Sequence, residues 1–212
     1  MREYPKIESL FDRDEATFRF IPGAYRLPEF GYLSSLSWRA TEKIDGTNIR
    51  VEWDGERVTF GGRTDRAQTP TFLLTKLQDL FPVARFGDLP PLTLYGEGYG
   101  AKIQKGGGNY IADGCDFILF DVLVGEWWLQ WDDIRDVAGK LTINVVPVVS
   151  VDSLSWLTKL AATGFTSAWG HFNAEGLVAK PIVDLNTRAG KRIIVKIKEK
   201  DFAPPVSKEE QS

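Results

Sequence analysis

The 212-residue sequence has one cysteine, one histidine and one methionine. A lone Cys115 cannot close an internal disulfide, so a disulfide-stapled secreted fold is excluded and the reducing cytoplasm is the default compartment. A single imidazole, His171, argues against a histidine-clustered zinc site and against Ser–His–Asp hydrolysis, which needs a positioned imidazole. Both residues read as structural. Long apolar runs are also missing. FILFDVLV and INVVPVVS are of strand length, well short of the roughly 20 residues of a membrane span. The first residues, MREYPKIESLF, lack the basic-then-apolar order of a secretory signal. Nor is there a basic excess. The net charge is −3, so nucleic acid would have to be met by a local basic surface on an acidic body. Any chemistry falls to Lys, Arg, Asp and Glu.

What remains is ordinary for a globular chain: 43% hydrophobic and 26% charged residues, enough to bury a sizeable core. The first forty residues carry turn signals at 21–23, 27–31 and 34–37. TNIRVEW and RVTFGG flank Asp54-Gly55 and predict a hairpin. Apolar residues at 73, 74, 77, 80 and 81 predict a helix that can start at Thr71. LTLYGEGYG reads as a strand running into a glycine-rich loop, and DFILFDVLV and EWWLQW as strands around a Gly125-Glu126 turn. Asp132 can cap a helix reaching Gly139, INVVPVVS reads as one strand, and Ser153 caps a helix that stops at Gly164. EGLVAKP and KRIIVKIK are further strands. The pattern is α+β, with largely antiparallel sheets and flanking helices. No linker divides it, so residues 1–202 read as one domain and 203–212 as a flexible tail.

The block Thr41-Glu42-Lys43-Ile44-Asp45-Gly46-Thr47-Asn48 precedes the hairpin. On a strand-like backbone Lys43 and Asp45 point the same way, and Gly46 permits a tight turn or a close ligand. Alone, such a block is equally a charged turn. Downstream, however, come Arg63 in GGRT, Glu97 in LYGEGYG, Phe120 and Asp121 in FILFDV, Glu175 in EGLVAKP, and Lys196 and Lys198 in IVKIK. Phe120 and Asp121 fall on opposite faces of a regular strand. Lys196 and Lys198 alternate with Val195 and Ile197 and leave one face together.

This ordered set, over residues 42–198, resembles the covalent nucleotidyltransferases, the superfamily of ATP-dependent ligases and capping enzymes with an ATP-grasp-like ligase fold. Glu42 before the lysine, Asn48 at the block's end, Arg63 and the segment GEGYGAKIQKGGGNY are similar to RNA ligases related to phage enzymes that seal duplex RNA. The resemblance implies that Lys43 attacks the α-phosphate of ATP and carries AMP. Only a neutral amine can do so, and two nearby ammonium groups would favour loss of its proton. It implies that Lys196 and Lys198 hold the α-phosphate and that Phe120 stacks on the purine. Glu97 would accept from a ribose hydroxyl, and Thr41, Glu42, Asn48 and Arg63 would contribute to nucleotide binding. Glu175 and Asp45 would hold Mg2+ or Mn2+, largely through water. Arg63, Lys102 and Lys105 would meet RNA, or a hybrid or DNA end, although Lys102 and Lys105 also read as a solvated loop. Only fourteen residues follow Lys198. The expectation is therefore a minimal, monomeric adenylyltransferase domain, cytoplasmic (the host's, if phage-encoded), without an OB-fold or C-terminal RNA-binding domain, for which a separate nucleic-acid-binding partner is one option. A small DNA ligase and an inactive binding domain are the alternatives.

Overall fold

In the computed structural model, residues 1–202 are described; the expected tail, 203–212, lies outside them. In chain order the strands are β1 (Glu8–Ser9), β2 (Phe11–Arg13), β3 (Phe20–Tyr25), β4 (Ser37–Glu42), β5 (Thr47–Trp53), β6 (Val58–Gly61), β7 (Leu92–Gly100), β8 (Cys115–Val124), β9 (Trp127–Trp128), β10 (Asn144–Val145), β11 (Val148–Ser153), β12 (Gly176–Pro181) and β13 (Val195–Lys198). The helices are α1 (Pro28–Tyr32), α2 (Thr71–Leu80), α3 (Trp131–Leu141) and α4 (Leu154–Thr163). The chain forms two compact units, each discontinuous in sequence: Met1–Lys6 with Ile44–Pro147, and Ile7–Lys43 with Val148–Ser212.

The first unit is built on a sheet in the order β10-β8-β7-β5-β6, with β9 beside β8. All its ladders are antiparallel except β10 on β8. The expected hairpin is β5–β6. Its Asp54 carboxylate accepts from the backbone N–H groups of Glu56 and Arg57, and Gly55 takes a positive φ of 102°. Ile49, Val51, Leu94, Phe117 and Leu119 on one sheet face pack with Leu73, Leu77, Ile134 and Leu141 into one apolar core.

LYGEGYG differs from its expectation. It is strand throughout, because its glycines admit neighbours that a side chain would displace. A Cβ on Gly96 would lie within 2.3 Å of the Phe117 ring and 2.4 Å of the Ile118 carbonyl oxygen. Helix α3 also differs. It starts at Trp131 without a side-chain cap and runs through Gly139 to Leu141, ending at Thr142 in a left-handed conformation.

The second unit has a sheet in the order β1-β13-β12-β4-β11 and a separate β2–β3 pair. Helix α4 begins as expected, with the Ser153 hydroxyl accepting from Trp156 N–H, and it ends at Gly164. Its Leu154, Leu157 and Ala161 join Trp38, Leu177, Val195 and Ile197 in a second core. INVVPVVS is two strands rather than one. Val145 pairs with Leu119 in the first unit's sheet and Val148 with Thr41 in the second's, and Pro147, which has no N–H to give a ladder, lies at the break.

Overpacking at the Gly96 contact gives a direct test. Gly96→Ala should destabilise the protein by about 1–3 kcal/mol, seen as a melting temperature lower by several degrees. Gly139→Ala, in a helix with nothing within 4 Å of the added carbon, should instead stabilise by about 0.5–1 kcal/mol.

Candidate active site

In the second unit, β12 lies between β4 and β13 and is antiparallel to both, so its beginning meets their ends. Leu177 faces Glu42, and Gly176 faces Lys198. Glu175, just ahead of β12, therefore falls between two lysines. Its Oε2 lies 2.6 Å from Lys43 Nζ and its Oε1 2.5 Å from Lys198 Nζ. The main chain reinforces this arrangement, because Lys43 N–H donates to Gly176 O at 2.9 Å. The three side chains retain only 15–21% of their exposure, which screens the pairs less than full solvation would.

Burial pushes the Glu175 carboxyl up, but the opposing effects prevail. The charge of Lys43, hydrogen bonds from Lys198 and Lys43, and the charge of Lys198 hold it below its ordinary value of 4.5. Such a carboxylate is a poor base towards an ammonium group. Ordinary lysine and glutamate values differ by roughly six units, about 8 kcal/mol against transfer. Glu175 is therefore an ion-pair partner for the two lysines rather than a base.

Strand β13 keeps the expected alternation. Val195 and Ile197 are fully buried, while Lys196 and Lys198 are half-buried. The residues just after β4 correct an expectation. Lys43–Gly46 is outside any strand, so period-two reasoning does not apply there. Glu42, expected to contribute to nucleotide binding, is 2% exposed, and its carboxylate accepts from Ser167 Oγ at 2.6 Å and Ala168 N–H at 2.9 Å. It ties the end of β4 to the segment after α4. The Thr41 hydroxyl likewise donates within the fold, to Val178 O at 3.2 Å.

The first unit gathers another group of the motif residues. Asn48 is opposite Glu97, and Glu97 opposite Ile118, so the three share a row across β5, β7 and β8. Asn48 Oδ1 is buried without a hydrogen-bond partner among the described residues, which leaves an acceptor for a ligand donor. The glycine after Asp45 is explained by close approach of the chain to itself, because a Cβ there would lie 2.3 Å from Gly98 O and 2.8 Å from Glu97 Cγ. Asp45 N–H donates to Tyr110 OH, and Gln104 Nε2 donates to Gly46 O. The glycine-rich segment thus grips Asp45 and Gly46 while Lys102 and Lys105 stay exposed.

Phe120 and Asp121 do not fall on opposite faces. Tyr95 pairs with Asp121 and Gly96 with Leu119, so Phe120 is the extra residue of a β-bulge and the alternation shifts by one. Both residues meet Tyr4. Its ring lies edge-on to Phe120 at 5.1 Å, and its hydroxyl donates to Asp121 Oδ2 at 2.7 Å.

Sequence reasoning missed Arg50, which is fully buried. It donates to Gly62 O and Met1 O and pairs with Asp65 Oδ1 at 2.8 Å, bracing the loop that presents the exposed Arg63. Its place in TNIRVEW carries no signal of this. Tyr4, Ser167 and Gln104 were missed in the same way.

This constellation is that of a nucleotidyltransferase-type domain. A family model described as RNA ligase matches residues 36–198, and the chain belongs to that family. An RNA ligase of Naegleria gruberi with PPi is similar in fold, with a TM-score of 0.67 at 18% identity, over 94% of this chain and 62% of that one. A variant of that ligase with ATP and Mn gives 0.66 at 18%, over 94% and 62%. Another, with AMP and Mn, gives 0.66 at 18%, over 94% and 58%. The chain therefore spans less than two thirds of the length of these relatives. No curated protein matches the sequence. Among the described residues, no helix is long and apolar enough to cross a membrane.

The lowered Glu175 value has a pH consequence. Its stabilising contribution is complete above the ordinary value of 4.5 and is lost as pH falls through the lower folded value. The melting-temperature gap between the parent protein and Glu175→Gln should thus be constant from about pH 6 upwards and should shrink on acidification through and below about pH 4. A gap that widened on acidification would contradict the assignment.

Proposed function

We infer that the protein is an ATP-dependent RNA ligase that charges itself with AMP on Lys43. The observation that carries this reading is the Lys43–Glu175–Lys198 cluster, where one carboxylate gathers motif residues 132 positions apart in sequence, Lys43 and Glu175, together with Lys198. In the first step the neutral Lys43 amine attacks the α-phosphorus of ATP. A P–N bond forms, the P–O bond to the β-phosphate breaks, pyrophosphate leaves and the amine proton passes to solvent. Lys196 and Lys198 neutralise the α-phosphate oxygens as charge develops on them. An RNA 5′-phosphate then takes AMP from Lys43, and a 3′-hydroxyl attacks that activated end, releasing AMP and forming the phosphodiester.

The donor chemistry fits a hard divalent cation. Glu175 is a carboxylate held below its ordinary value, the kind of oxygen donor that Mg2+ takes together with several waters. Glu175 and Asp45 would hold Mg2+ or Mn2+. When bound, the ion would neutralise the triphosphate and favour pyrophosphate departure. Asn48 and Glu97 supply acceptors for ribose hydroxyls, and Phe120 supplies a ring for the purine. Exposed Arg63, Lys102 and Lys105 are the cations offered to nucleic acid. On a chain of net charge −3, that makes binding weak and steeply salt-dependent. A cytoplasmic, monomeric enzyme is the corresponding setting.

Intact-mass measurement after incubation with ATP and Mg2+ should show an AMP adduct that is absent in Lys43→Ala. Lys198→Ala should slow its formation by about 10²–10³-fold, the size of losing one transition-state donor. An unmodified mass, in protein shown to be free of pre-bound AMP, would overturn the reading. Sealing supplies a second test. A pre-adenylylated RNA end should be joined more efficiently than a 5′-phosphate with ATP, and an RNA 3′-hydroxyl should be preferred over DNA. Efficient, salt-insensitive joining of nicked DNA would instead favour a DNA ligase.

A further inference from the structure

Residues 1–6 belong to the first unit and are fastened to it at several points. Arg50 donates to Met1 O at 3.0 Å, and Tyr95 OH donates to Arg2 O at 3.0 Å. Arg2 pairs with Glu126 at 2.8 Å and lies 5.8 Å above the Trp128 ring. At the segment's centre Tyr4, 9% exposed, is enclosed by aromatic rings: Tyr95 at 5.1 Å, Phe120 at 5.1 Å and Trp128 at 5.5 Å. Its hydroxyl donates to the fully buried Asp121.

The bulge explains why such a support matters. Phe120 is the residue without a partner across the β7–β8 ladder, so strand pairing does not fix its direction. It is also only half-buried, so close packing alone selects its rotamer weakly. Tyr4 supplies the missing constraint in two ways. Its ring meets Phe120 edge-on, at an interplanar angle of 73°, a favoured aromatic geometry. Its hydroxyl holds the next residue, Asp121, through a hydrogen bond to a carboxylate, among the stronger kinds.

We propose that Tyr4 is a positioning residue for Phe120, making the N-terminal segment a working part of the nucleotide pocket that sets affinity for the base. This rests on the reading of Phe120 as the ring that stacks on the purine. A ring held in its binding orientation before the nucleotide arrives spares the ordering that binding would otherwise require. Loss of that support weakens ground-state and transition-state binding alike, which raises KM and leaves kcat unchanged.

The test is the rate of AMP adduct formation on the full chain as a function of ATP concentration, for the parent protein, Tyr4→Leu, Tyr4→Phe, Phe120→Leu and the Tyr4→Leu/Phe120→Leu pair. Tyr4→Leu should raise KM for ATP about three- to tenfold, the range expected for losing one aromatic pair, with kcat within about twofold. Tyr4→Phe keeps the ring but loses the hydroxyl's hold on Asp121, and should show a rise in KM intermediate between the parent protein and Tyr4→Leu. In the Phe120→Leu background the further change at Tyr4 should leave KM within about twofold, because the ring it supports is gone. Effects that multiply in the pair, an unchanged KM in Tyr4→Leu, or a loss confined to kcat would each overturn the proposal. If Tyr4→Leu melts below the assay temperature, Asp121→Asn takes its place. It weakens the hold on Tyr4 and should raise KM with kcat kept, and an unchanged KM there overturns the proposal equally. A parent protein that takes up no AMP would overturn the ligase reading itself, a result distinct from all of these.

Discussion

One carboxylate does what no pairing of hydrophobic residues could do here: it keeps two ammonium groups close together without a net penalty of like charge. The order β13-β12-β4 brings Lys43 and Lys198 to the ends of the two strands that flank β12, and Glu175 sits just ahead of β12 between them. Removing one member of a partly buried ion network strands the rest, which is costlier than never having built it. The antiparallel ladder is the constraint behind this. Only when β12 runs against both neighbours does its first residue meet two strand ends at once.

The same charge arrangement fixes where the Lys43 side chain points, since its ammonium group is held 2.6 Å from Glu175 Oε2. Glu42, one residue earlier, is turned inwards on Ser167 and Ala168. The chain just ahead of Lys43 is thus tied down by hydrogen bonds from the segment after α4.

Features with a local code were legible in the sequence. The alternation of VKIK, the Ser153 cap and the Asp54-Gly55 turn each follow from a short-range rule, and each is found. The family was legible because an ordered set of residue types carries the resemblance, and the family model matches residues 36–198. What escaped depends on partners far along the chain. The bulge at Phe120 is invisible in FILFDV, since it arises from the register of β7 against β8. An arginine within an alternating strand looks outward-facing, yet Arg50 is satisfied by Gly62, Met1 and Asp65 and is wholly buried. The internal partners of Glu42 were not legible either, because Ser167 lies 125 residues away in sequence. INVVPVVS has the composition of one strand, and Pro147 alone hinted that it was two.

Two of the bonds that fix the first residues end on main-chain oxygens, those of Met1 and Arg2. A carbonyl is the same on every amino acid, so these anchors are blind to the side chains they pass. A change of side chain at position 1 that keeps the backbone path would therefore leave the first anchor in place, whereas position 4 is held through its side chain.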